Sequence, residues 1–351
     1  MQSTRALPAA RRLASLRLPA PFARSLAAIA AALLIFTVFL LATGRDPADA
    51  YVKVFHGTLG SKIGWAEIGV RMIPIVLTGL AASIPARVGL INVGGEGQLY
   101  FGAWAATGVA LYVGGPIGAL IPLMALAGIL GGAFWAGLAV LARQARGVNE
   151  IISTLLMNYV AILFVNVFVF GPWKNPTGFN YPYTRDFDGS AILPAFGDTR
   201  LHLGILFPIV AVAVAYMVLS RTRWGYNMRA IGGNVEAARR RGIPVTRYVF
   251  LAMLAGGGMA GLAGMAEVSG VQHHLRPGIS NNIGFLGFLA SWLGDHNPLT
   301  IVATGFLLAV VVIGGDLLQF SADLPSAAMN VLIALILFLV LAFRPSRKAQ
   351  A

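Results

Sequence analysis

The stretch INVGGEGQ at residues 91–98 places one carboxylate and two amides in an otherwise apolar part of the chain. Its polar side chains are Asn92, Glu96 and Gln98, and three glycines lie among them. A carboxylate is costly to bury in apolar surroundings, so Glu96 is a candidate for contact with a polar solute. Glycines at this density also suit close packing of helices, which is the competing structural explanation. The chemistry predicted here is hydrogen bonding.

A second polar stretch, NEIISTLLMNY at residues 149–159, follows a helical spacing. Glu150, Thr154 and Asn158 recur at every fourth residue, so they share one face of a helix and project together into a bundle. Asn149 can cap this helix and Glu150 suits the positive end of its dipole, which explains both on structural grounds alone. The face as a whole predicts either a hydrophilic path or hydrogen bonds between helices.

The composition indicates that these stretches belong to a membrane protein. Of 351 residues, 57% are hydrophobic and 11% are charged, and the apolar residues fall in runs of roughly 20. The runs are rich in Leu, Ala, Val and Gly and lack the alternation of barrel strands. They therefore predict helices, which satisfy their own backbone polar groups. The predicted fold class is all-α, a polytopic integral membrane protein.

Several kinds of chemistry are excluded by residue type. The chain has no cysteine, which rules out disulfides, thiolate catalysis and cysteine metal sites. The adjacent pair His273 and His274 lacks the spacing of a zinc site, so we expect no metal. No set of nucleophile, acid and base occurs at usable spacing, so we do not expect an enzyme.

The formal net charge of +13 would suit nucleic-acid binding, but the positions of the basic residues argue against it. Eighteen of the 26 lie in the amino-terminal tail, in short connections, in the segment 221–247 and at the carboxyl end. If successive spans alternate in direction, all eighteen fall on one face of the membrane, as the positive-inside rule predicts for cytoplasmic segments. We therefore expect contact with the lipid bilayer and no nucleic-acid partner.

The apolar runs predict about ten membrane spans, with both termini in the cytoplasm. The spans lie near residues 25–43, 68–86, 92–113, 116–142, 150–171, 203–220, 248–268, 283–294, 299–315 and 326–343. The first run is long for a signal-peptide core, so we interpret it as an uncleaved span. The predicted domains are a basic tail at 1–24, a transmembrane domain at 25–343 with a cytoplasmic loop at 221–247, and a tail at 344–351.

Two of the predicted spans are interrupted. Glycines break the chain within 91–98, and proline, glycine and paired asparagines open a short span within 277–293, PGISNNIGFLGFLASWL. Interrupted helices at corresponding positions of two halves are typical of a transport site, because helix ends and unwound backbone supply polar groups within the membrane.

The segment 221–247 is a polar island with seven arginines and one glutamate between long apolar runs, and we call it the arginine segment. A Gly-Gly-Asn turn at 232–234 precedes a predicted short helix over 235–241, and Gly242-Ile243-Pro244 ends that helix. A short helix between two spans could transmit the motion of a bound partner to both. A solvated basic loop that contacts lipid headgroups is the simpler alternative.

If ATP drives transport, another protein must bind and hydrolyse it. No G-x-x-x-x-G-K-[ST] motif is present, so the chain does not bind nucleotide through a P-loop. A partner would then hydrolyse ATP, and the arginine segment is the natural place for it to dock.

Four stretches carry a family resemblance. In chain order they are INVGGEGQ, GVNEIISTLLMNY, WGYNMRAIGGNVEAARRRGI and AGGGMAGLAGMAEV, and together they resemble the membrane permease subunits of bacterial ABC importers for simple sugars and nucleosides. The resemblance runs from about residue 66 to 340. The second stretch looks more like the nucleoside-type permeases than the ribose or galactose ones.

The resemblance implies a permease that imports its solute by alternating access, with inverted halves in spans two to five and seven to ten. Its expected partners are two cytoplasmic ABC ATPase subunits, a second permease that is a copy or a homologue, and an extracytoplasmic substrate-binding protein. ATP and Mg would be bound by the ATPases, so we expect no cofactor in this chain. The expected location is the inner membrane of a bacterial cell. The helix that couples the ATPase to transport maps onto Gly232, Asn234, Glu236, Ala237, Ala238, Arg239 and Gly242.

One departure from the family pattern concerns the short span after residue 283. The family often has a polar residue in a G-x-A-x-A-L-L-G run there, whereas this chain has GFLGFLASWLG. Phe285, Phe288 and Trp292 would form an aromatic stripe that stacks on a base or sugar, or that simply packs. The candidate residues of the substrate pathway are Asn92, Glu96, Gln98, Glu150, Thr154, Asn158, Phe288 and Trp292.

An ion-coupled secondary transporter is the alternative function. Glu96, Glu150 and Glu267 would then be the candidates for binding the coupling ion. That interpretation leaves the arginine segment unexplained.

Overall fold

The computed structural model describes residues 20–179 and 181–321, and five positions between 331 and 339. Within these residues the secondary structure is helical, with isolated bridges joining Lys174 to Thr184 and Ala195 to His202. The predicted all-α class is confirmed. Most of the predicted tail at 1–24, most of the predicted last span at 326–343 and the whole tail at 344–351 lie outside the described residues.

Twelve α-helices follow in chain order in the described part of the chain. They are α1 (Ala20–Ala42), α2 (Pro47–Gly57), α3 (Lys62–Ala86), α4 (Gly95–Tyr112), α5 (Ile117–Arg146), α6 (Glu150–Phe170), α7 (Leu206–Arg221), α8 (Arg223–Gly233), α9 (Val235–Arg240), α10 (Val245–Glu267), α11 (Ile283–Leu293) and α12 (Pro298–Ser321). Short 3-10 turns occupy Gly189–Ala191 and Leu203–Ile205, and a π-helical turn, Val268–Gln272, extends α10.

Six helical stretches in the described part of the chain are long and apolar enough to cross a membrane. They are Lys62–Ala86, Ile117–Arg146, Glu150–Phe170, Leu203–Arg221, Val245–Gln272 and Pro298–Gln319. The segment predicted as a span at 283–294 is a helix of 11 residues. Such a helix is about 16 Å long, roughly half the thickness of the hydrocarbon core. The chain is thus a multi-pass membrane protein, and the count of ten spans stays a prediction.

The chain divides into two compact units. The first contains residues 1–54 and 315–351, and the second contains residues 55–314. In the first unit the hydroxyl of Tyr51 on α2 donates to the carbonyl oxygen of Leu33 on α1 at 3.0 Å. The candidate site residues all lie in the second unit.

Helix α10 forms the centre of the second unit and packs against α3, α4 and α5. Glycine makes this close approach possible. A Cβ at Gly261 of α10 would overlap the carbonyl oxygen of Gly128 on α5 and would lie 2.9 Å from the Cα of Gly132. Small residues at such contacts let helix backbones touch within a membrane, where no hydrophobic force drives helices together.

Both predicted interruptions are present, and they face each other. Residues 87–94 separate α3 from α4, and residues 273–282 separate α10 from α11. A Cβ at Gly95, the first residue of α4, would lie 3.5 Å from the carbonyl oxygen of Gly284 in the first turn of α11. The amino-terminal ends of two broken helices therefore meet inside the unit.

The segment 172–202 runs along the carboxyl end of α10. The main-chain nitrogen of Leu193 donates to the carbonyl oxygen of Ser269 at 3.0 Å, and that of Phe187 donates to His273 at 2.8 Å. The arginine segment leads into the first residue of α10. These two polar segments therefore lie at opposite ends of a 23-residue helix.

Candidate functional site

Asn92 and Gln98 form a reciprocal amide pair at the first break. Each side chain donates from its amide nitrogen to the amide oxygen of the other, and both distances are 3.0 Å. Asn92 also donates to the carbonyl oxygen of Ala81 at 3.1 Å and accepts from the main-chain nitrogen of Gly94 at 3.0 Å. Both side chains are buried. The pair fixes the broken backbone onto the start of α4, so a solute would reach these amides only if the pair opened.

Helix α6 satisfies the backbone that the break leaves free. Asn158 accepts from the main-chain nitrogen of Gly97 at 2.8 Å and donates to the carbonyl oxygen of Val93 at 3.0 Å. One turn earlier, Thr154 accepts from the main-chain nitrogen of Val93 at 3.3 Å and donates to the carbonyl oxygen of Glu150 at 2.6 Å. Both side chains are buried on the face that their spacing predicted. Irregular backbone within a membrane requires such partners.

Glu96 joins the two breaks. Its Oε2 atom accepts from the hydroxyl of Ser280 at 2.8 Å and from the main-chain nitrogen of Gly284 at 2.7 Å. Ser280 also accepts from the main-chain nitrogen of Ile283 at 3.1 Å. The carboxylate lies at the positive end of α11 and in the first turn of α4, where two helix dipoles favour a negative charge. Glu96 is only 2% exposed, so its contacts in this conformation are internal.

Glu150 has different surroundings from Thr154 and Asn158. Its carboxylate forms an ion pair of 2.9 Å with the Nε atom of Arg143, at the turn from α5 to α6. Asn149 accepts from the main-chain nitrogens of Ile151 and Ile152 at 2.9 and 3.3 Å, which confirms the predicted helix cap. The structure thus brings two of the three spaced side chains to the break and turns the third toward an arginine.

The aromatic residues of α11 are less buried than its small residues. Gly284, Gly287 and Ser291 are buried, whereas Phe288 and Trp292 are half-buried. The two rings lie 5.8 Å apart, and the ring of Trp292 lies 5.0 Å from that of His296. Their role in a substrate pathway stays a prediction.

The arginine segment folds into two short helices, α8 and α9, that meet at Asn234. The side chain of Asn234 accepts from the main-chain nitrogen of Ala237 at 3.0 Å, which is the predicted cap of α9. Gly242 follows the helix with a φ of +76°, a conformation that favours glycine. The short helix predicted over 235–241 is observed at Val235–Arg240.

Most of the predicted coupling residues lie on the surface of the chain. Exposed positions are Gly232, Asn234, Glu236, Ala237, Arg239 and Gly242. Ala238 is 3% exposed and is the buried residue of α9, which packs against α8 and the start of α10. Helix α9 therefore presents one face outward and holds to the bundle by the other.

Sequence reasoning did not single out Ser280 or Arg87. The only signal for Ser280 was a hydroxyl beside the paired asparagines of the second break. Arg87 was grouped with other basic residues in short connections, yet its Nη2 atom donates to the carbonyl oxygen of His296 at 2.8 Å. Burial lowers the pKa of Arg87, and the nearby charge of Arg229 lowers it further, whereas Asp295 opposes both.

Three histidines, His202, His273 and His274, lie where the segment 172–202 runs along the end of α10. His202 is 1% exposed, and its Nδ1 atom accepts from the main-chain nitrogen of Gly204 at 3.2 Å. Burial, with smaller effects of His273 and Arg200, lowers the pKa of His202 to about 4. His274 lies 3.1 Å from a carboxylate oxygen of Asp186. Within the described ranges, no three His, Asp or Glu side chains lie close enough to hold a metal ion.

Comparison with known proteins covers all of these residues. Residues 65–342 match the family described as branched-chain amino acid transport system / permease component. A glucose ABC transporter permease protein of Haloferax volcanii is 38% identical over 89% of this chain and 85% of its own length. A guanosine ABC transporter permease protein of Bacillus subtilis is 28% identical over 86% and 88% of the two chains. A nucleoside ABC transporter permease protein of Lactococcus lactis is 27% identical over 91% and 90%.

Proposed function

Because the chain belongs to the family of branched-chain amino acid transport system permease components, we propose that it is the membrane subunit of an ATP-driven importer. The proposed solute is a nucleoside or a simple sugar, since the relatives described above are named for guanosine, nucleosides and glucose. The proposed location is the inner membrane of a bacterial cell.

The observation that carries this proposal is the exposed helix α9 between two spans, α7 and α10. Glu236, Ala237 and Arg239 face outward, while Ala238 holds the helix to the bundle. An ATPase subunit that binds the outward face could displace α9 and, with it, the ends of both flanking spans. The chain has no P-loop of its own, so two ATPase subunits would bind and hydrolyse ATP.

Alternating access would use the two breaks. Each follows a long helix and precedes a helix that starts inside the unit: α4 after α3, and α11 after α10. Helix α11 leads to the turn that contains His296, beside Arg87, whereas α4 leads away from Arg87. This opposite direction supports two inverted halves. The Asn92–Gln98 pair and the contact of Glu96 with Gly284 are the hydrogen bonds that a hydroxyl-bearing solute would replace during passage.

A cleft of about 440 Å³ lies beside the segment 172–202. We propose that the solute enters the protein through this cleft. Its walls include Tyr181, Tyr183, Gln272, His274 and Arg276. Small-molecule sites usually have volumes of roughly 300–1,000 Å³ and combine aromatic walls with a few polar groups. We infer that an extracytoplasmic binding protein delivers the solute at this end, and that a second permease, identical or homologous, completes the pathway.

The first experiment purifies the tagged chain from its native membrane and identifies the proteins that remain bound. The complex is then reconstituted in liposomes, and ATP hydrolysis and uptake are measured with its binding protein loaded with guanosine or with glucose. A co-purifying P-loop ATPase, and orthovanadate-sensitive uptake of one of the two solutes, are the expected results. The solute that stimulates hydrolysis assigns the substrate class.

Two outcomes would contradict the proposal. If the purified chain binds no ATPase and transports on an ion gradient alone, the protein is a secondary transporter. If an ATPase binds but neither solute stimulates it, the importer assignment stands and the nucleoside or sugar assignment falls.

A further inference from the structure

Arg87 occupies a position between the arginine segment and both broken helices. It directly follows α3 and begins the break that contains Asn92. The carbonyl group of Arg87 lies directly against Gly232 of α8. A Cβ added at Gly232 would overlap the carbonyl oxygen of Arg87. It would also lie 3.2 Å from the carbonyl carbon of Arg87 and 3.6 Å from the main-chain nitrogen of Gly89. The start of the first break therefore touches the arginine segment through main-chain atoms.

The side chain of Arg87 reaches in another direction. Its Nη2 atom donates to the carbonyl oxygen of His296 at 2.8 Å, in the turn between α11 and α12. That turn is itself well fixed, because Ser291 lies 2.9 Å from Nδ1 of His296 and the main-chain nitrogen of His296 donates to Ser291 at 2.8 Å. A displacement of this turn would therefore move α11 as a unit.

We infer that Arg87 is the positioning residue that transmits the displacement of α8 and α9 to both broken helices. Its main chain passes motion to the break before α4, and its guanidinium passes motion to α11. The two helices carry Glu96 and Gly284, whose hydrogen bond closes the centre of the unit. This inference rests on the proposed function, because it requires an ATPase to displace the arginine segment.

The contact is suited to transmission for a physical reason. A guanidinium is planar, stays charged and presents donors in a fixed fork, so it holds a distance and an angle that a flexible ammonium does not. The contact at Gly232 joins two main chains, so no side-chain rotation can absorb a displacement of α8. Coupling between sites requires a physical element whose state both sites bias, and these two contacts supply it.

The test compares Arg87→Ala with Arg146→Ala in the reconstituted complex with its ATPases. Arg146 is an exposed arginine at the end of α5 and provides a matched loss of charge. We expect Arg87→Ala to bind the ATPases and hydrolyse ATP, while the solute transported per ATP falls on the order of tenfold, a typical size for coupling between sites. Arg87→Lys should recover only part of the ratio. Arg146→Ala should transport as the parent does.

A second pair of variants tests the main-chain contact. Gly232→Ala places a methyl group against the carbonyl of Arg87, whereas a Cβ at the neighbouring Gly233 meets no atom within 4 Å. Gly232→Ala should lower the solute transported per ATP, and Gly233→Ala should not.

The ratio of uptake to hydrolysis separates transmission from simple damage. A variant that only misfolds lowers uptake and hydrolysis together and leaves the ratio unchanged. An unchanged ratio in Arg87→Ala would overturn the inference. If the unmutated chain binds no ATPase, the proposed function fails first, and this inference fails with it.

Discussion

The Oε2 atom of Glu96 lies 2.7 Å from the main-chain nitrogen of Gly284, although 188 residues separate them along the chain. The carboxylate thereby binds the first turn of α11 from the first turn of α4. A buried carboxylate is tolerated when donors and helix dipoles surround it, and Ser280 supplies a further donor at 2.8 Å. The contact holds together the two breaks on which the proposed mechanism depends.

Glu96→Gln should destabilise the protein while preserving the shape of the side chain. Hydrogen bonds to charged groups contribute about 1.5–3 kcal/mol, whereas the neutral amide oxygen of glutamine accepts from the same two donors more weakly. The thermal unfolding midpoint of the purified protein should fall clearly. Glu67→Gln is the control, because Glu67 pairs with the largely exposed Arg200 at 3.3 Å and such pairs contribute about 0–1 kcal/mol. Equal midpoints for the two variants would contradict the role of Glu96.

Asn158→Leu should destabilise the protein more than Asn166→Leu on the same helix. Asn158 bonds the carbonyl of half-buried Val93 and the nitrogen of buried Gly97, and its loss removes the side-chain partner of both groups. Each unsatisfied group costs about 1–3 kcal/mol. The Oδ1 atom of Asn166 is buried and has no hydrogen-bond partner among the residues described, so leucine there should be neutral or slightly stabilising. Denaturation of both variants in the same detergent decides the order.

Gly261→Ala should weaken the packing of α10. Its methyl group would overlap the main chain of Gly128, and overpacking of a tight core costs about 1–3 kcal/mol. Gly118→Ala is the matched control, because a Cβ there meets no atom within 4 Å and alanine favours a helix by at most about 1 kcal/mol. We expect opposite shifts of the unfolding midpoint. If Gly261→Ala raised the unfolding midpoint, the close packing of α10 against α5 would not contribute to stability.

His202 should make stability fall at acid pH. Its pKa is about 4 in the folded protein, below the ordinary value of 6.5, so the unfolded chain binds the extra proton first. Stability contributed by neutral His202 is complete above pH 6.5 and is lost as the pH falls toward 4, by about 3 kcal/mol in total. His202→Asn can still accept from Gly204 but does not titrate. The unfolding midpoint should drop less between pH 7.5 and 5 in this variant than in the parent, and parallel drops would refute the assignment.

Ala238→Glu and Gly242→Asp should each abolish uptake while the protein still inserts into the membrane. Glutamate does not fit the buried position of Ala238, and Gly242 has a φ of +76° that a side chain disfavours. Uptake by membrane vesicles, normalised to the amount of protein in the membrane, measures the effect. Ala145→Glu, at an exposed position near the end of α5, controls for added charge. Normal uptake by both variants would reject the coupling role of α9.

Several features of this protein follow from residues close together in the sequence. Runs of about 20 apolar residues predict membrane helices, Asn149 and Asn234 cap helices that start at the next residue, and the interruptions occur where glycine and proline predict them. The family resemblance drawn from four motifs is confirmed. All of these depend on hydropathy, backbone preference and spacing, which local sequence contains.

The sequence by itself therefore determined the all-α membrane class, the family, the breaks and the short helix α9. Only the tertiary structure decided that Glu150 pairs with Arg143, that Glu96 binds the start of α11, and that Arg87 joins Gly232 to His296. Those contacts join segments up to 209 residues apart, so their geometry depends on which helices pack together and not on the pattern within either one.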